Sequence, residues 1–164
     1  TWAKKLIQQV PQEVKGYVLL GTAYAHLGDT ASAIATWEKA LKMDPNLLNI
    51  KLNLSSLLIQ QNQFDQAEQL LKEVQGKDPS LDAAVLSNLA SLHFLQGKLN
   101  EALKELLQLE QFQPQNYSVK EQLAIVYHRL GNIEKARELI QECQKANYPV
   151  NPEFLRIIEQ DTKQ

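Results

Sequence analysis

The chain has 164 residues, 44% of them hydrophobic and 22% charged, a globular composition that excludes a disordered chain and suits one compact domain or one short repeat array. Seventeen basic and nineteen acidic residues leave a net charge of −2, with both signs mixed along the chain, so the clustered basic surface that nucleic-acid binding needs is excluded. A single cysteine excludes an internal disulfide framework, and no apolar run approaches the roughly 18 residues of a membrane span.

Proline sets the first division. Pro11, Pro45, Pro79, Pro114 and Pro149 stand 34, 34, 35 and 35 residues apart. A proline at such a spacing stops one helix and opens the next segment. Between the prolines, apolar residues recur at helical spacing and no stretch sustains strand alternation. The pattern predicts helices over 2–10, 14–27, 30–43, 48–61, 64–76, 83–96, 99–111, 117–130, 133–146 and 152–161.

The first segment, 2–10, carries an apolar stripe of Trp2, Leu6, Ile7 and Val10 on a helix that lacks a partner. The chain begins without Met and without a signal-like segment, so it is expected to be a fragment or a processed chain. Either further repeats precede this helix, or the stripe is a surface for a partner or for self-association.

The next four hairpins share columns at one period. A small column reads Gly21, Ser55, Ala90 and Ala124. An alanine column reads Ala33, Ala67, Ala102 and Ala136, and a bulky column follows it at Trp37, Leu71, Leu106 and Ile140. Small residues let two helix axes approach while a bulky neighbour interlocks, and here the bulky column is expected to fill the space between successive hairpins. The turn column reads Gly28, Asn62, Gly97 and Gly131, the residue types that tolerate the left-handed conformation ending a helix. The extra residue between Pro79 and Pro114 falls best in the Ser80-Leu81-Asp82 turn, where an insertion costs little. In the last segment, Asn151 caps, Pro152 takes the first turn and Glu153 favours the positive helix end; Phe154, Leu155 and Ile158 share the face that covers the last hairpin.

These columns resemble the tetratricopeptide repeat family. Residues 14–47 carry the resemblance best, through Tyr17, Leu20, Gly21, Tyr24, Gly28, Asp29, Ala33, Trp37, Ala40 and Pro45. The resemblance implies an all-α, right-handed superhelical solenoid of antiparallel helix hairpins. It divides the chain into residues 1–13 as the second helix of a truncated repeat, repeats at 14–47, 48–82, 83–116 and 117–150, and a capping helix at 151–164. Departures from the pattern are Lys51 and Lys120 in place of a large apolar residue, Val74 and Leu109 in place of an alanine, and His93 in place of a tyrosine.

Catalytic motifs are missing from the sequence. It has no glycine-rich phosphate loop, no H-E-x-x-H and no paired cysteines. His26, His93 and His128 fall in three different repeats, so no metal site, cofactor or hydrolytic centre is expected. Cys143 sits in the column of Ala40 and reads as a small core residue.

In this family the first helices of the hairpins line a concave surface that binds extended or helical peptides. The resemblance implies such a groove at Thr22, Leu52, Asn53, Ser56, Ile59, Gln60, Ser87, Asn88, Ser91, Phe94, Gln122, Ile125, His128 and Arg129, flanked by Val18, Leu95 and Glu121. The set is nearly uncharged. Relatives that clamp carboxylate tails of chaperones use Lys, Arg and Asn at set positions, and only Asn53 agrees here, so that clamp is not expected. Asn53, Asn88 and Gln122 occupy one column, and amides there either hydrogen-bond a ligand backbone or are simply wetted groove residues. Ile59, Phe94 and Ile125 would offer side-chain pockets.

The expected function is a non-enzymatic scaffold that binds a mostly neutral segment of a protein partner in the groove, with no nucleic acid and no direct insertion into a membrane. Two alternatives stand beside it: an accessory or substrate-recruiting segment of a larger enzyme or secretion machine, and a self-assembling scaffold. The sequence fits either cytoplasm or bacterial periplasm.

Overall fold

The computed structural model describes residues 13–161, which divide into two compact units, 13–82 and 83–161. The helix expected at 2–10, with its Trp2 stripe, lies outside the described residues. Among the described residues there is no strand, in line with the all-α reading.

The first unit holds α1 (Val14–His26), α2 (Thr30–Met43), α3 (Leu48–Gln60) and α4 (Phe64–Val74), and ends in a 3-10 turn at Pro79–Leu81. The second holds α5 (Asp82–Leu95), which begins at the last residue of the first unit, then α6 (Leu99–Phe112), α7 (Tyr117–Arg129), α8 (Ile133–Lys145) and α9 (Pro152–Gln160). Within each unit the helices follow one another as hairpins joined by tight turns.

The turns form because of one residue each. Gly28, Asn62, Gly97 and Gly131 all adopt left-handed backbone, with φ of 75°, 57°, 75° and 81°. One residue further on, the amides of Asp29, Gln63, Lys98 and Asn132 donate to the carbonyls of Tyr24, Leu58, His93 and Tyr127, five residues back. That bond satisfies a carbonyl that the helix end would leave open, and the chain is turned for the second helix. Asp29 and Asn132 then cap the second helices, accepting from the amides of Ser32 and Lys135 at 3.2 Å each.

Helix α4 stops at Val74, two residues short of the expected 76. Gln75 leaves the helical region with ψ at 124° and Gly76 takes φ +69°, so the helix cannot continue through them. The 3-10 turn that follows is held by Asp78, whose carboxylate accepts from the Ser80 amide at 2.9 Å.

Packing follows the columns. Ala33, Ala67, Ala102 and Ala136 are completely buried. A Cβ placed on Gly21 would lie 2.4 Å from the Trp37 indole, so the smallest member of the small column faces the largest member of the bulky one. This contact lies inside a single hairpin, α1 against α2. Leu106, by contrast, joins a cluster with Val119, Leu123 and Val126 of the next hairpin. The bulky column therefore works within hairpins, where it meets the small column, as well as between successive hairpins, the place expected from the sequence.

At the C-terminal end, the side-chain Oδ1 of Asn151 accepts from the amides of Glu153 and Phe154 at 2.8 and 3.3 Å. Phe154 and Ile158 are buried against Ala124, Ala136, Ile140, Cys143 and Val150, and Leu155 packs at the edge of the same cluster. Helix α9 thus covers the apolar end of the last hairpin.

Gly21→Ala is expected to destabilise the protein by about 1–3 kcal/mol, because the methyl meets a rigid, buried indole. Adding Trp37→Leu, the residue type at the matching positions Leu71 and Leu106, should recover part of that loss. Thermal or urea unfolding of both single variants and the double variant measures this coupling, and additive effects would count against the interlock.

Candidate functional site

The groove residues expected from sequence fall on α1 and α3 in the first unit and on α5 and α7 in the second. In the first unit, Thr22 is half-buried and its hydroxyl donates to the Val18 carbonyl at 2.9 Å, within its own helix. Asn53 and Gln60 are exposed, and Ser56 is half-buried. Leu52 and Ile59 are only 8% and 5% exposed. They back this face from beneath and do not project from it, because α3 is apolar on most of its circumference and buries six of its residues.

In the second unit the residues converge more closely. Ala90, Ser91, Phe94 and Leu95 of α5 and Gln122, Ile125 and Val126 of α7, with Leu106 of α6 behind them, line a pocket of about 290 Å³. Ser91, Phe94, Gln122 and Ile125 of the expected set thus meet around one concavity. The Ser91 hydroxyl donates to the Ser87 carbonyl at 3.0 Å, which turns the donor inward and leaves the oxygen lone pairs outward. Asn88 and Gln122, the two amides of this unit, are half-buried.

A second, more open depression of about 530 Å³ shares Ile125 and continues past His128 and Arg129 to Asn151, Glu153, Phe154 and Ile157 of the C-terminal segment. Here the structure places His128 differently from a free groove residue. Its Nε2 is 2.7 Å from an Asp161 carboxylate oxygen, and its ring meets Phe154 edge-on at 5.7 Å. His128 therefore ties α7 to the end of α9. Arg129 is exposed, and its guanidinium lies over the Phe94 ring at 4.6 Å, joining the pocket wall to the rim.

The charged departures from the repeat pattern are paired. Lys51 bonds Glu73 at 2.5 Å, and Lys120 bonds Glu142; each pair is 22 residues apart and links the first helix of a hairpin to the second. The Lys51 hydrogen bond holds the Glu73 carboxyl below its ordinary 4.5. The Glu142 hydrogen bond raises the Lys120 ammonium above 10.5. His93 Nδ1 sits 2.9 Å from both Glu105 carboxylate oxygens, and burial pushes that carboxyl above 4.5 against the pull of the histidine. Burial likewise raises the Cys143 thiol, which is fully enclosed and packed as a small core residue. Sequence columns did not reveal these pairs, since each partner lies in another column. The signal available was the glutamate 22 residues after each lysine, where Tyr17 and Leu86 are followed by Lys39 and Gln108.

Among the described residues, no three of His, Cys, Asp and Glu gather where they could hold a metal ion, and no helix is long and apolar enough to cross a membrane. What the site offers is a face of hydroxyls, amides and apolar side chains with one exposed guanidinium at its rim.

Comparison with known proteins agrees with this architecture. A family model described as the cytochrome c-type biogenesis protein H TPR domain matches residues 4–119, and a tetratricopeptide repeat model matches residues 117–148. The wheat (Triticum aestivum) Hsp70-Hsp90 organizing protein is 43% identical over 53 residues, which are 32% of this chain and 9% of that protein. Type IV pilus assembly protein PilF of Pseudomonas aeruginosa is 26% identical over 133 residues, 80% of this chain and 52% of that one. The chain thus spans under a tenth of the wheat protein's length and about half of PilF's. Among solved structures, MamA of Desulfovibrio magneticus RS-1 superposes with a TM-score of 0.82 at 19% identity, covering 88% of this chain and 81% of its own, a likeness of fold.

A double-mutant cycle of Lys51→Met and Glu73→Gln should give a coupling of about 0.5–1 kcal/mol at neutral pH, the range of a partly exposed ion pair. Glu73 titrates lower in the folded chain than its ordinary 4.5, so the coupling is present above that pH and is lost as pH falls through the folded value. Urea unfolding of the four proteins across the acid range measures it, and a coupling that grows toward acid would refute the assignment.

Proposed function

We propose that this chain, which belongs to the tetratricopeptide repeat family, is a non-enzymatic scaffold that binds an extended or helical, mostly neutral segment of a partner protein on the first-helix face of its hairpins. The family and the fold are those of protein-interaction scaffolds in general. The reading takes residues 14–47, 48–82, 83–116 and 117–150 as four repeats.

The observation that carries it is the α5–α7 pocket. Its walls come from the first helices of two consecutive hairpins, and Ser91, Phe94, Gln122 and Ile125 line it together. An apolar concavity edged by a few donors and acceptors suits a side chain of a bound segment, while neighbouring amides suit that segment's backbone. Asn88 and Gln122 are the amides of this unit, and Asn53 is the amide proposed for the first-helix face of the other unit. The faces around them carry little charge, which favours a neutral ligand over an anionic tail.

A second reading has its own support. The matched family model is named for a cytochrome c biogenesis protein, and one relative is named for pilus assembly. Both favour a substrate-recruiting segment of a larger assembly machine, in which the same face would hold a client.

Affinity capture from source cells with the wild-type chain and with Asn53→Ala/Asn88→Ala, read by mass spectrometry, tests both readings. A partner retained only by the wild type supports the groove, and titration should then show the double variant weaker by roughly 1–3 kcal/mol. A set of co-purifying subunits from one machine favours the second reading. Equal affinity of both proteins for every captured partner removes the amide contacts from the account.

A further inference from the structure

We infer that the α5–α7 pocket takes one bulky apolar side chain of the bound segment, and that Arg129 at its rim takes a carboxylate beside that side chain. The inference rests on the groove reading above and narrows the ligand from a mostly neutral segment to one with a single acid next to an apolar anchor.

The apolar half follows from the pocket walls. Phe94, Leu95, Ile125 and Val126 dominate a concavity of about 290 Å³, and Leu95 is 54% exposed at its lip although it is a large apolar residue. Covering that surface is favourable because it removes apolar area from water. Ser91 and Gln122 are too few to make the pocket polar.

The acidic half follows from how Arg129 is held at the pocket rim. Its neighbour on α7, His128, is paired with Asp161. Arg129 pairs with no carboxylate among the described residues, yet it is held in place, its guanidinium over the Phe94 ring at 4.6 Å. Stacking occupies the face of the guanidinium and leaves the edge donors free for a planar, bidentate acceptor. A carboxylate meets that fork with two parallel hydrogen bonds.

Charge on the far side confines the acid. Beyond Arg129 the second depression carries Glu153, and Asp161 sits on His128. An acidic residue of the ligand is therefore favoured next to Arg129, between the two concavities, and disfavoured further along toward α9. A single guanidinium set in an apolar wall suits one carboxylate of a peptide, whereas a phosphate dianion gains most from several cationic donors.

A random-peptide display library selected against the full chain tests this, with Ser91→Trp as the control that fills the pocket from an exposed position. Peptides that bind the wild type and are lost on Ser91→Trp should be enriched in a Leu, Ile, Met or Phe beside an Asp or Glu. Arg129→Glu should weaken them by roughly tenfold or more, as loss of a bidentate charged pair does. Replacing the peptide's acid with Lys should restore binding to Arg129→Glu. Arg129 is exposed, so circular dichroism should show the fold of this variant unchanged, and Arg129→Gln provides a milder second variant. Pocket-dependent peptides without acidic enrichment, or with equal affinity for Arg129→Glu and the wild type, overturn the inference and leave the groove reading standing. If no selected peptide is sensitive to Ser91→Trp, the groove reading fails and the inference fails with it.

Discussion

The approach of Gly21 to the Trp37 indole shows the constraint on which each hairpin depends: two helices come as close as the smallest facing side chains permit, and the partner fills what is left. A Cβ at Gly21 has no room, standing 2.4 Å from the ring. Where the small member is Ser55, Ala90 or Ala124, the bulky member shrinks to Leu71, Leu106 or Ile140. Size surrendered on one helix is taken up on the other, so close packing is kept while the residues change. With the fully buried alanine column beside it, this fixes the first helix of each hairpin against the second. A face that is to bind something needs that rigidity, because a ligand that must also order its receptor binds more weakly.

The polar departures fit the same frame. A lysine in place of a large apolar residue is tolerable at a half-buried position only if its charge is met, and Glu73 and Glu142 meet it from the second helix. His93 and Glu105 form a more enclosed pair between α5 and α6, with the carboxyl raised by burial and drawn back by the histidine. These pairs join the first helices to the second. The residues expected to line the groove on the first helices are neutral apart from His128 and Arg129.

Much of the fold was legible because its signals restrict residue type locally. A left-handed turn at 28, 62, 97 and 131 admits Gly or Asn almost alone, and those residues stood in register. The end of α4 was less legible, since Gly76 lies outside the repeating turn column and ends the helix early. The site was read less well than the fold. Periodicity marks the faces of a helix only when one of them is polar, and α3 is apolar on most sides; Leu52 and Ile59 share the spacing of Asn53 and Ser56 and yet are buried. The pairs Lys51–Glu73, His93–Glu105 and His128–Asp161 bring together residues from different columns, so column reading finds one partner and misses the other.

The C-terminal helix shows how a stabilising element comes to share in a surface. Helix α9 covers the apolar end of the second unit with Phe154 and Ile158, and Asn151 caps it. That placement also brings Ile157, 43% exposed, and Glu153 to the wall of the depression that begins at Ile125. The His128–Asp161 pair holds the two elements at this edge. Removing α9 would therefore act twice: it would open the core around Ala124, Ile140 and Cys143, and it would take away one side of the depression next to Arg129. Loss of binding in such a truncation would not separate the two effects, whereas substitution at exposed Ile157 alters the wall and leaves the buried face of the helix intact.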